Sequence, residues 1–319
     1  MSLHPSGGGV LGTVARSSPD RAAHLGLAAL VGGAAGIAFA PIFVRLSEVE
    51  PSATAFWRMA FALPLLWLWR ERERRVLQTA RPLARDVPRL VAAGVFFAGD
   101  LAVWHWSIRF TTVANATLLA NFAPIFVALG AYLLFGERFT RTFLAALALA
   151  ICGAILLMGA SVRLGAQSVL GDVLGIATAV FYASYILAVG RLRARLSTAT
   201  VMTWSSAVTA AALLPIALLS RESLMAPSLR GWLVLVGLAV ISQFVGQSLI
   251  AYALAHLPAA FSSLVLLLQP VLAAVFAWLL LGERLAPLQV AGGAAVLVAI
   301  SLARGGVRRG PDPVPGRLS

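Results

Sequence analysis

The sequence predicts an all-α integral membrane protein of ten transmembrane helices, arranged as two inverted five-helix repeats around a central cavity. Three observations carry that expectation. The 319 residues are 60% hydrophobic and only 12% charged, with a mean hydropathy of +0.89, which is more apolar surface than one soluble core can hide. Apolar runs of about 20 residues, the length a helix needs to cross roughly 30 Å of hydrocarbon, recur along the chain. Finally, the hexamer LLFGER at 133–138 returns as LLLGER at 279–284.

The runs fall at 22–45, 52–69, 89–109, 112–135, 141–160, 168–189, 197–219, 231–254, 258–281 and 285–303. Lipid satisfies no backbone hydrogen bonds, and the runs lack the period-2 alternation of barrel strands, so each is read as a helix. The organisation that follows is an N-terminal segment at 1–21, a first five-helix repeat at 22–160, a second at 168–303, and a tail at 304–319 whose composition predicts disorder. That leaves no room for a second, soluble domain.

Orientation follows from the placement of basic residues, which accumulate in cytoplasmic loops. All 25 Lys+Arg residues are Arg. With the N-terminus inside, 18 of them fall on the inner side, seven in the stretch RERERRVLQTARPLARDVPR (70–89) alone. Six fall outside, at Arg45, Arg109, Arg163, Arg221, Arg230 and Arg284, and Arg58 lies within a span. Both termini are therefore expected in the cytoplasm. The same asymmetry accounts for the pI of 11.6 without any nucleic-acid partner.

Five spans separate the two Gly-Glu-Arg triplets, so the first is expected to face inward and the second outward. Laid over each other without a gap, 111–138 and 257–284 share ten identities in 28 columns, among them Pro124 with Pro270 and Glu137 with Glu283. Inverted repeats of this kind mark secondary transporters, whose halves rock about a site near the bilayer midplane.

Ten spans, two halves that each close on GER, and the segment AGDLAVWHWSIRFTTVANATLLANFAPIFVALGAYLLFGER (98–138) resemble the drug/metabolite transporter superfamily. Within it the chain resembles the EamA branch and its bacterial amino acid exporters of the YddG type, over roughly residues 26–303. One departure is visible, since Gly153 aligns with Ala299. The resemblance implies a basket of helices around a cavity, a bacterial inner-membrane location, and export of amino acids and related metabolites.

The absence of Lys excludes a Walker A lysine and a Schiff-base lysine. A lone Cys152, with no HExxH, GxSxG or paired-carboxylate motif, argues against an enzyme and against a metal or other cofactor.

Candidate site residues are identified by depth. At 1.5 Å per residue, Asp100 lies about 17 Å and Asn121 about 14 Å into their spans, and Gln243 and Gln269 lie at similar depths. Intramembrane polar groups face a bundle interior or a water-filled cavity. Asp100 has three readings: a packing acceptor, a substrate contact or a proton carrier. Asn121 shares a helix face with Thr117 and Pro124, where the proline frees a carbonyl that either binds ligand or merely kinks the helix. Gln243, Gly246 and Gln247 are expected on one face, Trp104 lies one turn from Asp100, and Tyr182 stands between cavity wall and interface. Arg58 lies about 9 Å from the outer end, near Glu48 and Glu50, where snorkelling or a structural ion pair is expected rather than carboxylate recognition. Pro124, Pro270, Glu137 and Glu283 are expected to act as gates or braces. Small residues at Gly32, Gly36, Gly171, Gly175 and Ala179 allow close helix contact.

The expected function is a secondary transporter that exports neutral, apolar or aromatic amino acids with broad specificity. The alternatives are a multidrug or organic-cation exporter, in which Asp100 meets a positive charge, and a membrane-embedded enzyme. The expected partners are the small-molecule substrate and membrane lipids, including anionic lipids at the Arg-rich loop and tail. The sequence sets no oligomeric state, and a monomer is compatible with all of this.

Overall fold

A computed structural model describes residues 19–159, 169–220, 223–304 and 306–308. Apart from a two-residue strand pair, its regular elements are helical. The N-terminal segment before residue 19, the loop containing Arg163 and the tail beyond Arg308 lie outside the described residues. Helices α1 (Pro19–Ala38), α2 (Ala40–Leu46), α3 (Pro51–Leu77), α4 (Val87–Phe110), α5 (Val113–Ala120), α6 (Ala123–Phe135) and α7 (Arg141–Gly159) form the first half. Helices α8 (Val169–Arg193), α9 (Thr198–Leu219), α10 (Leu229–Gly237), α11 (Ser248–Ala253), α12 (Ala259–Val265), α13 (Leu268–Leu281) and α14 (Pro287–Leu302) form the second. A ten-residue π-helical stretch, Leu238–Gln247, joins α10 to α11.

Among the described residues, eight helical stretches are long and apolar enough to cross a membrane. Two of the ten expected runs do not meet that measure. Helix α3 is 27 residues long but carries Arg58 and Pro64 in its apolar part, and α14 has only 16 residues.

Three runs are not the continuous helices that their apolarity predicts, and each breaks just ahead of a proline. A proline lacks the N–H of the helical ladder and crowds the carbonyl four residues back. The first run breaks at Phe39, ahead of Pro41. The fourth breaks at Asn121–Phe122, ahead of Pro124, and the ninth at Leu266–Leu267, ahead of Pro270. Tighter bonds close the gaps, from Phe122 N to Leu119 O at 3.1 Å and from Leu267 N to Leu264 O at 3.1 Å. The two later breaks occupy nearly the same columns of the internal repeat. So do the ends of the helices that follow. Gly136 and Gly282 take left-handed φ values of +65° and +69°, the conformation that glycine adopts without a Cβ penalty. Each turn is closed by the next amide, Glu137 N to Ala131 O at 3.2 Å and Glu283 N to Ala277 O at 3.3 Å.

Helix pairs meet through glycine. Gly36 and Gly246 bring α1 and the π-helical stretch into backbone contact: a Cβ on Gly36 would lie 3.0 Å from Gly246 Cα. Gly33, rather than Gly32, is the second residue of that contact, since a Cβ there would lie 2.9 Å from Gly246 O. Helices α7 and α14 cross where Gly153 meets Gly292. Gly153 also approaches Val296, while Gly292 approaches Leu157, so the two helices run antiparallel. The residues 146 positions away from this pair, Ala299 and Ala146, are both fully buried, and the mismatch of Gly153 with Ala299 thus belongs to one packing seam. Outward-facing leucines such as Leu133, Leu134, Leu279 and Leu280 are each more than 60% exposed, which suits a hydrocarbon surround.

Polar ties gather at the two ends of the bundle. At one end Arg195 pairs with the buried Asp86, Arg193 Nε donates to Ala251 O at 3.1 Å, and Arg138–Phe139 pair with Val307–Arg308 as short antiparallel strands. At the other, Arg45 pairs with Glu283 and the Ser228 hydroxyl donates to Glu48 Oε1 at 2.7 Å. Trp57 Nε1 donates to Leu224 O at 2.7 Å, and Asn115 bonds Asp172.

Candidate functional site

Four helices and the π-helical stretch converge on a polar patch deep in the bundle. Arg58 of α3 donates from Nε to Gln243 Oε1 at 3.1 Å, and Gln243 Nε2 donates to Ser206 Oγ of α9 at 3.1 Å. Gln243 and Ser206 are fully buried, and the chain of donors satisfies polar groups that water does not reach. The guanidinium carbon of Arg58 lies 5.8 Å from the centroid of the Phe97 ring on α4, within cation–π range. Phe97 stacks on Tyr185 of α8 at 4.5 Å, and Tyr185 lies 6.3 Å from Tyr182. Asp100, three residues after Phe97, shares its helix face and interacts electrostatically with Arg58 and Tyr182.

The helix breaks open directly beside this patch. A cavity is lined by Asn121, Pro124 and Val127 on one broken helix, by Ser263 and Gln269 on the other, and by Tyr182. Within it the Gln269 side chain is set against the Tyr182 hydroxyl. The Asn121 side chain turns back, donating to Thr117 O at 2.8 Å. It therefore caps the end of α5, which is the bracing role, while its position still borders the cavity.

Of the residues singled out in the sequence, Asp100, Gln243, Tyr182, Gln269 and Asn121 are thus gathered around one region, with Arg58 and Pro124 beside them. Trp104 is set slightly apart, its Nε1 donating to Thr117 Oγ1 at 3.3 Å. Gln247 is 2% exposed, and among the described residues its Oε1 has no hydrogen-bond partner. Gly246 does not share the face of Gln243: it packs on α1, whereas Gln243 points to α3 and α9. Arg58 also departs from expectation, because it turns inward to Gln243 and Phe97 instead of pairing with Glu48, which is taken by Ser228. The two GER glutamates differ: Glu283 pairs with Arg45 near the surface, whereas Glu137 is 7% exposed. Phe97 and Ser206 escaped the sequence reading. The i−3 spacing of Phe97 from Asp100 marks the first, but nothing in the sequence marks the serine.

Comparison with known proteins follows the same two halves. The model of the EamA-like transporter family matches twice, over residues 24–159 and 169–305. The pseudopaline exporter CntI of Pseudomonas aeruginosa strain PAO1 is 30% identical over 261 residues, covering 81% of this chain and 88% of that protein. A probable terminal-alkyne amino-acid exporter of Streptantibioticus cattleyicolor is 30% identical over 247 residues, 76% and 82% of the two chains. One crystal structure superimposes with a TM-score of 0.75 at 19% identity, covering 89% of this chain and 96% of its own, which is a likeness of fold.

Proposed function

The chain belongs to the EamA-like transporter family, and from that membership we propose that it exports amino acids and related metabolites by alternating access. It is a multi-pass membrane transporter and not an enzyme. The observation that carries the substrate class is the gathering of Arg58, Asp100, Tyr182, Gln243 and Gln269 beside two broken helices. Polar groups at that depth are costly unless they serve a pathway. Asp100, Tyr182 and Gln269 contact the substrate, Gln243 holds Arg58 behind them, Asn121 and Trp104 border it, and Gln247 supports the site from one turn further on. Apolar and aromatic walls, with few charges, suit neutral amino acids with apolar or aromatic side chains. Similarity to exporters of pseudopaline and of a terminal-alkyne amino acid supports export of amino acids and related metabolites.

The halves at 22–160 and 168–303 are two inverted repeats of five spans each, lying in a bacterial inner membrane with both termini cytoplasmic. Three features support this reading. Corresponding helices α7 and α14 run antiparallel, as inversion requires and a parallel duplication does not. Each described tie at the bundle ends joins segments that the ten-span path places on one side. The Arg-rich loop 70–89 lies at the end of the Asp86–Arg195 tie, whose side the basic-residue rule assigns to the cytoplasm. Alternating access then requires the Arg45–Glu283 and Asp86–Arg195 ends to open in turn, with Pro124 and Pro270 marking the hinges.

Two measurements test these statements. In a Cys152→Ser background, Met225→Cys is expected to react with a membrane-impermeant maleimide on intact cells, and Ala80→Cys only after permeabilisation; the reverse pattern overturns the orientation. Purified protein in liposomes is expected to take up labelled phenylalanine or leucine saturably. Uptake driven by an imposed pH gradient makes the carrier proton-coupled, whereas uptake indifferent to the gradient makes it facilitative. No uptake of any amino acid, together with uptake of a lipophilic cation, replaces this reading with that of an organic-cation exporter.

A further inference from the structure

Arg58 and Asp100 are opposite charges held in the middle of the bundle without being spent on each other. The two interact electrostatically, but among the described residues they form no direct ion pair. Arg58 is fixed instead from behind and below, by the Gln243 carbonyl at 3.1 Å and the Phe97 ring at 5.8 Å. Gln243 is held in turn by Ser206 at 3.1 Å. Phe97 and Asp100 share a face of α4, so the guanidinium and the carboxylate lie beside the same side of that helix. Tyr182 interacts with both charges and lines the cavity.

Accessibility separates the supports from the charges. Gln243 and Ser206 expose nothing, whereas Arg58, Asp100 and Tyr182 retain part of their surface. Because α3, α4, α8 and the π-helical stretch surround Arg58, that surface belongs to the interior. A closed ion pair in such a place adds little stability and costs desolvation. Two separated charges flanked by aromatic rings have a different use: they match a ligand that carries both charges itself.

We propose that Arg58 and Asp100 read the two charges of a zwitterionic α-amino acid, Arg58 receiving the carboxylate and Asp100 the ammonium group, with the substrate side chain against Tyr182, toward the cavity that it lines. This rests on the export reading above and narrows it: a substrate must carry both charges, and amines or carboxylic acids alone are excluded. The planar fork of arginine suits a carboxylate better than the point charge of lysine.

The test is competition in proteoliposomes that take up labelled phenylalanine. Unlabelled phenylalanine is expected to compete, and phenylalanine methyl ester and 3-phenylpropionate, each lacking one charge, to compete roughly tenfold more weakly or worse. Arg58→Gln is expected to lower uptake by roughly tenfold or more, with helical content and elution unchanged, and Arg58→Lys to restore part of it. Equal competition by the ester and the acid overturns the inference, as does uptake retained in Arg58→Gln. Competition in the wild-type protein decides the matter even where a variant fails to fold. If the wild-type protein takes up no amino acid, the export reading fails and this inference fails with it, an outcome distinct from uptake that ignores the two charges.

Discussion

Gly292→Ala is expected to lower stability by about 1–3 kcal/mol, read as a depressed melting temperature and a smaller monodisperse fraction in detergent. A Cβ at this position would lie 2.5 Å from Leu157 N and 2.6 Å from Gly153 O. Both atoms belong to the backbone of α7, which cannot rotate away as a side chain does. In lipid no hydrophobic force pushes α7 and α14 together, so their association depends on this close van der Waals fit. The matched control is Gly190→Ala, where nothing lies within 4 Å of the added Cβ and the gain in helix propensity is worth up to about 1 kcal/mol. Equal melting temperatures for Gly292→Ala and wild type would show that the crossing of α7 and α14 is not as described.

Gln243→Leu is expected to cut transport by about tenfold or more, because it releases Arg58 from the position that a substrate must find. The side chain is fully buried. Leucine fills nearly the same volume, but leaves the Arg58 Nε–H and the Ser206 hydroxyl without their partner. Each unsatisfied buried group costs about 1–3 kcal/mol, so the melting temperature is expected to fall as well. Gln243→Glu keeps an acceptor for Arg58 and is expected to retain more transport than Gln243→Leu at equal protein per liposome. Full activity in Gln243→Leu would leave Gln243 a packing residue and detach Arg58 from the site.

Much of this molecule was legible in one dimension. The apolar runs located the helices to within a few residues, and the 146-residue offset matched Pro124 with Pro270 and Gly136 with Gly282 before their breaks and caps were seen. These features are local: Pro124 and Pro270 each remove an N–H from the helical ladder, and Gly136 and Gly282 take the left-handed turn without a Cβ penalty. Rise per residue also singled out Asp100, Asn121, Gln243 and Gln269, which the structure gathers around one region.

Direction was not legible. Depth put Arg58 near Glu48, yet the side chain turns the other way, toward Gln243 and Phe97. Gln243 and Gly246 were expected on one face, but the π-helical turn sends the glycine to α1 and the glutamine to α3 and α9. In a soluble protein the apolar stripe of each helix reports which side meets the core. Here lipid is as apolar as the interior, so hydrophobic pattern no longer distinguishes inward from outward, and the rotation of each helix is settled by close packing with its neighbours. The sequence by itself determined membrane residence, helicity, the duplicated halves and the identity of most of the gathered polar groups. Only the tertiary structure decided which of those groups face one another, because that depends on the rotation of each helix about its own axis.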